Sequence, residues 1–192
     1  MSSHGHGAGH GGEGDNKYIA IFISILALFL AIAETFAKSS QTNSISYNVE
    51  ASNLWSFFQD KTIRRTTLET AAEAMEIDMT LAKDPATRQL LEKRVADWKK
   101  SAARYRSEPE TREGTVELAA RAIEAGKKRD LYAEKYHHFE IASAAFQIGI
   151  VLASVFLITH VVYMLWGAGL LAGLGVLFTL IGLFFPSAVH LF

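Results

Sequence analysis

Two stretches of the chain are almost free of charged residues, and a highly charged region separates them. Residues 18–37 contain one charged residue, Glu34, and residues 141–192 contain no Lys, Arg, Asp or Glu. A run of 18 or more apolar residues with almost no charge is typical of a membrane span. The first stretch has the length of one span, and the second is long enough for two. The pattern therefore predicts three transmembrane helices.

The second apolar stretch needs a turn to form two spans. The sequence Trp-Gly-Ala-Gly at 166–169 offers one, because Trp favours the membrane interface and glycines permit a tight turn. We therefore predict spans at 18–37, 141–164 and 169–185, followed by a short tail at 186–192.

Between the first and second spans, at 38–140, apolar residues recur at spacings of three and four. This spacing is typical of helices that bury one face. The predicted helices are about 45–83, 86–106 and 110–139. Asp84 followed by Pro85 predicts a helix N-cap and a proline at the first helical position. The polar run at 39–44 leaves open whether the first span continues into the next helix.

These elements predict an all-α integral membrane protein with a cytosolic helical bundle inserted between its first and second transmembrane helices. Leu91, Val95, Trp98, Ala102 and Tyr105 give the middle helix a coiled-coil pattern over two heptads. Apart from Lys17, all Lys and Arg lie between Lys38 and Lys135. The positive-inside rule therefore places the large loop and the C-terminus in the cytoplasm and the N-terminus outside. The expected location is the bacterial inner membrane.

Composition removes several functional classes. The chain has 20 acidic and 19 basic residues, which disfavours nucleic acid as a partner. It contains no Cys, so disulfides and thiol catalysis are excluded. We find no catalytic motif and predict no enzyme activity and no cofactor, apart from one metal alternative.

That alternative concerns the Gly- and His-rich leader at 1–17, which we expect to be disordered alone. After removal of Met1, the amine, the backbone amides and an imidazole could form a square-planar site for Cu(II) or Ni(II). The residues concerned are Ser2, Ser3 and His4, with His6 and His10 as additional ligands. The alternative is a polar tail whose histidines bind nothing.

Polar residues within the predicted spans are the second candidate site. Glu34 shares a helix face with Ala27 and Ala31, and Gln147 is expected at a similar depth on the second span. We expect a hydrogen bond between Glu34 and Gln147, serving either as contact between helices or as part of a proton or cation path. His160 is expected at the outer interface.

Small residues at four-residue spacing predict close helix packing, within one chain or between chains. These residues are Ala145, Gly149 and Ala153 in the second span and Gly169 and Gly173 in the third.

A segment rich in aromatic and basic residues is the last candidate. It contains Trp55, Phe58, Lys61, Arg64 and Arg65. Near the inner leaflet such residues could bind anionic lipid or a partner. Alternatively, the aromatic side chains pack against the helix of Trp98, and the bases pair with Asp60 or Glu69.

The sequence Ala-Ser-Asn-Leu-Trp-Ser-Phe-Phe-Gln-Asp-Lys-Thr-Ile-Arg at 51–64 resembles an uncharacterised bacterial membrane-protein family, a domain of unknown function. So do Phe-Glu-Ile-Ala at 139–142 and the segment 147–154. The resemblance covers about residues 18–185. It implies one span, a cytosolic helical region and a pair of spans, and it implies no activity.

The expected function is a non-enzymatic membrane scaffold or accessory subunit that self-associates or binds another membrane complex, in contact with lipid. The alternative is an oligomeric channel or transport accessory in which Glu34 and Gln147 line a path. A third reading is capture of Cu or Ni by the leader.

Overall fold

The computed structural model describes residues 11–188, and side chains over 17–187. This part of the chain is all-α, as predicted, with no strand. Its elements are α1 (Gly11–Leu81), α2 (Pro85–Arg106), α3 (Thr115–Thr159), α4 (Val162–Phe184) and a 3-10 turn, Pro186–Ala188. Three of the helices, α1, α3 and α4, are long and apolar enough to cross a membrane.

The first helix is longer than the predicted span. The polar run at 39–44 does not interrupt α1, because no Gly or Pro occurs from Lys17 to Asp84 and hydroxyls such as that of Thr42 bond to the helix backbone. Thr42 Oγ1 donates to Lys38 O at 2.9 Å. Residues 11–17, predicted as part of a disordered leader, are helical and belong to α1.

The predicted start of α2 is confirmed. Asp84 is the N-cap, and its Oδ2 accepts hydrogen bonds from Thr87 N at 2.9 Å and Thr87 Oγ1 at 2.6 Å. Pro85 occupies the first helical position. The Thr87 side-chain hydrogen bond is the main cause that lowers the pKa of Asp84. The cap therefore stabilises α2 above the ordinary pKa of aspartate, and this contribution is lost as the pH falls.

The third helix joins two segments that the sequence analysis separates. The predicted helices at 110–139 and 141–164 form the single helix α3, which begins only at Thr115. Residues 107–114 form the connection. Thr115 Oγ1 donates to Arg106 O at 3.2 Å, and Glu117 accepts from Ser107 Oγ at 2.6 Å. Gly114 is required here, because a Cβ at this position would lie 2.6 Å from Ser107 Cα.

The turn between the last two helices is not where the sequence analysis placed it. The break predicted at 166–169 is wrong, since these residues lie within α4. The chain turns at His160, whose left-handed backbone (φ 57°) ends α3 and whose N donates to Phe156 O at 2.8 Å. The small residues of 166–169 have another role, because Ala168 is fully buried and a Cβ on Gly167 would lie 3.1 Å from Leu152 Cδ1.

The chain divides into two compact units, which we call the apolar unit and the charged unit. The apolar unit contains the chain up to Ser44 and from Asp130 onward, and the charged unit is Ile45–Arg129. In the apolar unit, α1, α3 and α4 share one core. Its buried residues are Leu26, Ala33, Ala142 and Phe146, with Ala172 and Phe178 of α4 packed against them. Phe146 stacks on Phe29 with ring centroids 5.8 Å apart.

In the charged unit, α1 has different partners along its length. Its first turns there pack against α3 in a core formed by Ala51, Leu54, Leu118, Ala122 and Ala125. Farther along α1, Glu76 forms a salt bridge with Lys99 of α2. Consecutive parts of α1 are therefore covered by α3 and then by α2.

Gly175 provides a test of packing in the apolar unit. A Cβ on Gly175 would lie 2.7 Å from Phe146 Cε1, whereas a Cβ on Gly173 would meet nothing within 4 Å. We expect Gly175→Ala to lower stability by about 1–3 kcal/mol through overpacking. Gly173→Ala is the matched control, with a gain of about 1 kcal/mol in helix propensity expected. Thermal unfolding in detergent measures both, and equal effects would contradict this packing.

Candidate functional site

The predicted hydrogen bond between Glu34 and Gln147 is present in the apolar unit. Gln147 Nε2 donates to Glu34 Oε1 at 3.0 Å, joining α1 to α3. Both residues are exposed, so the pair lies on the outer surface of the three-helix unit rather than in its core. A carboxylate has two acceptor oxygens and an amide has two N–H donors, so each group retains capacity for a further partner.

The surface around this pair is formed by small and aliphatic side chains. On α1, Ala27 and Ala31 are exposed on the face that carries Glu34. On α3, Ile148 and Val151 are 52% and 59% exposed. The result is an apolar surface that another helix can approach closely, with a single polar pair on it. We call it the Glu34 face.

The small-residue ridge of α3 packs inside the chain. Ala145 and Ala153 are buried, and a Cβ on Gly149 would lie 3.5 Å from Ala168 O and 3.6 Å from Leu26 Cδ1. This ridge therefore brings α3 close to both of its neighbours.

The glycines of α4 behave differently from the prediction. A Cβ on Gly169 or Gly173 would meet nothing within 4 Å, so neither residue mediates close packing within the described part of the chain. The packing positions are Ala168, Gly175 and Gly182, which are buried. A Cβ on Gly182 would lie 3.0 Å from Phe139 Cε1. Their seven-residue spacing was the signal that could have identified them.

His138 has a structural role in the apolar unit. This residue is 1% exposed, and its Nε2 lies 3.0 Å from Pro186 O. Its ring stacks on that of Phe178 at 6.1 Å. His138 thereby joins α3 to the turn after α4. Its Nδ1 is buried and has no hydrogen-bond partner within the described residues.

Among the described residues, His160 belongs to no group of metal ligands. His160 is exposed at the turn and contacts the edge of Phe156 at 6.1 Å. Within residues 11–188, no group of three or more His, Asp or Glu is placed to hold a metal ion. Ser2, Ser3, His4, His6 and His10 lie outside the described residues.

In the charged unit, the structure assigns most of the aromatic and basic segment to internal packing. Lys61 is only 8% exposed. Its ammonium lies 3.6 Å from Glu113 Oε2 and 5.3 Å from the ring centroids of both Phe57 and Tyr105. These contacts favour the packing alternative for Lys61, because its charge already has an acid and two rings around it.

Arg65 also has partners within the unit. Its Nη1 donates to Thr115 Oγ1 at 3.5 Å, and its Nε lies 3.7 Å from Glu69 Oε1. Phe58 packs on the core of the unit. Only Arg64 and Trp55 remain exposed from the predicted contact set, and the Trp55 ring meets Phe58 edge-on at 5.4 Å. The segment is thus mainly structural.

A cavity of about 720 Å³ adjoins the first turns of α4. It is lined by Leu165, Trp166, Gly167, Gly169 and Leu170. An apolar lining without convergent polar groups provides no means to orient a small polar substrate.

Comparison with protein families decides the classification of the chain. The profile of a domain of unknown function, DUF4337, matches residues 15–185. The chain belongs to the DUF4337 family. The match includes all four helices except the first residues of α1, and it confirms the resemblance to an uncharacterised family. No curated protein and no solved structure matches the chain. Membership of DUF4337, a domain of unknown function, does not identify an activity.

The environment of Lys61 leads to a stability prediction. We expect Lys61→Ala to lower the free energy of unfolding by about 1–3 kcal/mol, because it removes the contact of the ammonium with two rings and the packing of the stem. Arg64→Ala, which changes an exposed neighbour, should stay within about 0.5 kcal/mol. Thermal unfolding monitored by circular dichroism measures both. An unchanged Lys61 variant would show that the enclosed ammonium contributes nothing.

Proposed function

We propose that this DUF4337 protein is a non-enzymatic integral membrane scaffold or accessory subunit that self-associates or binds another membrane complex. The observation that carries the proposal is the hydrogen bond from Gln147 to Glu34, because it lies on the outer surface of an apolar three-helix unit. In this proposal α1, α3 and α4 cross the membrane, and the charged unit is a cytosolic helical region.

The distribution of basic residues supports the orientation. Lys38 follows the first apolar segment, and Lys127, Lys128 and Arg129 precede the second, whereas no basic residue flanks the turn at His160. The positive-inside rule then assigns the charged unit and the C-terminus to the cytoplasm of a bacterial inner membrane. The N-terminus and the His160 turn are assigned to the outside.

The cost of polar groups in lipid gives the Glu34 face its proposed role. A charged side chain at the centre of a span costs about 3 kcal/mol on insertion scales, and less toward the interface. Another transmembrane helix resting on Ala27 and Ala31 would cover Glu34 and Gln147 and provide their remaining hydrogen bonds. The partner is a second copy of this chain or a helix of another membrane complex.

The exposure of the Glu34 face also supports a second candidate function, an oligomeric channel or transport accessory. Three spans rarely enclose a pore alone, so this function requires a symmetric ring of copies. In such a ring Glu34 and Gln147 would line a path for protons or cations. The proposal of Cu or Ni capture by the leader concerns Ser2, Ser3, His4, His6 and His10, and it stands on the sequence alone.

The scaffold proposal predicts that native mass spectrometry of the protein in nanodiscs gives an assembly with a mass greater than that of one chain. Glu34→Ala removes the polar pair, and we expect association to weaken about 3-fold to 20-fold, the range of measured contacts between membrane helices. Glu34→Gln keeps a hydrogen-bonding side chain and should retain most of the association.

Thr35→Ala is the matched control for this series. The Thr35 hydroxyl donates to Ala31 O at 2.7 Å within α1, so its removal should leave association unchanged. A wild-type protein that remains monomeric and carries no other complex would contradict the proposal. Co-purification with another complex would select the accessory subunit over self-association.

The channel proposal makes a separate prediction for the same variants. Proton or cation flux into liposomes should be present for the wild type and for Thr35→Ala, and should be lost for Glu34→Ala because the carboxylate of the path is removed. An oligomer that conducts nothing would leave the scaffold as the function. Equal flux for wild type and Glu34→Ala would exclude Glu34 as a lining residue.

A further inference from the structure

A second apolar face of α1 lies in the charged unit, separate from the face that packs on α2 and α3. It carries large aliphatic side chains that are 53–72% exposed. They are Ile45, Val49, Ile63, Ile77 and Leu81. Ile45, Ile63 and Leu81 follow one another at intervals of five helical turns, so they share one side of the helix. Val49 and Ile77 each lie one turn inward from an end of this set.

This outer stripe points away from the core of the unit. The buried residues Leu54 and Ala72 each lie two and a half turns from Ile63, which places them on the opposite side of α1. Because α3 and α2 pack on that buried side, they leave the outer stripe uncovered.

The positions between the aliphatic residues are uncharged, and most of them are small. They are Ser52, Ser56, Gln59, Thr67, Thr70 and Ala74. Ser56 Oγ donates to Ser52 O at 3.0 Å, and Thr67 Oγ1 donates to Ile63 O at 2.9 Å. These hydroxyls are therefore satisfied by their own helix. The stripe presents a surface without a charge over about 54 Å, the length of this part of α1.

We propose that the outer stripe binds the outer stripe of a second copy of this chain, with the two α1 helices parallel and in register. In such a contact every residue meets its own counterpart, so a charged position would face a like charge. All the charged residues of α1 in this unit lie off the stripe. Copies of a membrane protein share one orientation, which favours the parallel arrangement, and exposed Ile and Val suit a two-stranded contact.

The charges that border the stripe disfavour a lipid surface as the occupant. Asp60 and Asp78 lie on one border with Arg64, and Glu73 lies on the other. An amphipathic helix that binds anionic lipid has Lys and Arg beside its apolar face. Here three acids and one base would face the membrane, so a second copy is the better match.

The stripe shares no residue with the Glu34 face, so this inference and the proposed function can fail separately. The chain has no Cys, so single-cysteine variants of the full-length protein in nanodiscs report single contacts. Ile45→Cys, Ile63→Cys and Leu81→Cys should each form cross-linked dimers with a short bis-maleimide. Ser46→Cys and Arg64→Cys are matched controls, since each lies one residue, about 100°, around the helix.

We expect about tenfold more dimer for the stripe variants than for the controls, because a formed interface raises the local thiol concentration to the millimolar range. Cross-linking of Ile63→Cys alone would indicate an antiparallel contact and overturn the proposal. Equal yields at stripe and control positions, or no dimer at any of them, would overturn it as well. The same series in a Glu34→Ala background separates the stripe from the Glu34 face.

A charge variant supplies a second measurement. Ile63→Glu would place two carboxylates opposite each other in a parallel contact. The cross-linking of Ile45→Cys and Leu81→Cys distinguishes this contact from an antiparallel one centred on Ile63. We expect dimer yield from Leu81→Cys to fall about tenfold in this background, with helicity by circular dichroism unchanged. Asp60→Glu is the control that alters a border carboxylate without adding charge. An undiminished yield with Ile63→Glu would contradict the proposal.

Discussion

The uninterrupted backbone of α1 is the constraint on which the rest of the structure depends. No Gly or Pro occurs from Lys17 to Asp84, and within the polar run at 39–44 the Thr42 hydroxyl bonds to the helix backbone. A helix of 71 residues cannot bury its side chains against itself, so each part of it needs a partner helix. The other helices supply these partners, α3 and α4 in the apolar unit and α3 and α2 in the charged unit.

Different interactions pack against α1 in the two units. In the apolar unit, aromatic rings fill space left by missing side chains, as Phe146 does beside Gly175 and Phe139 beside Gly182. Dispersion and close approach are the forces available where the surroundings are apolar. In the charged unit, alanines and leucines form a thin core, and Lys61 adds a charge held by Glu113 and two rings. A charge so nearly buried is stable only because these partners replace water.

Local chemistry was predictable from the sequence, whereas the use of small residues was predictable in α3 but not in α4. The cap at Asp84 and the bond between Glu34 and Gln147 follow from side-chain type and helical position, and both are present. The turn was misplaced because glycine serves both turns and close packing, and its use depends on which helix approaches it. Gly167 faces Leu152, while His160 adopts the left-handed backbone. Likewise, the enclosure of Lys61 depends on Tyr105 and Glu113, which lie far along the chain and are joined to it only by folding.

The surfaces that the fold leaves unsatisfied point to association rather than to catalysis as the proposed activity. Ile63 and Leu81 are exposed on one side of α1, and the polar pair of Glu34 and Gln147 lies outside the core of the apolar unit. In water an exposed aliphatic stripe is costly, and in lipid an exposed polar pair is costly. In the proposed assembly each cost would be relieved separately, by another helix with a matching surface. We therefore propose that this chain, with two such surfaces in two chemically different units, is one part of a larger assembly.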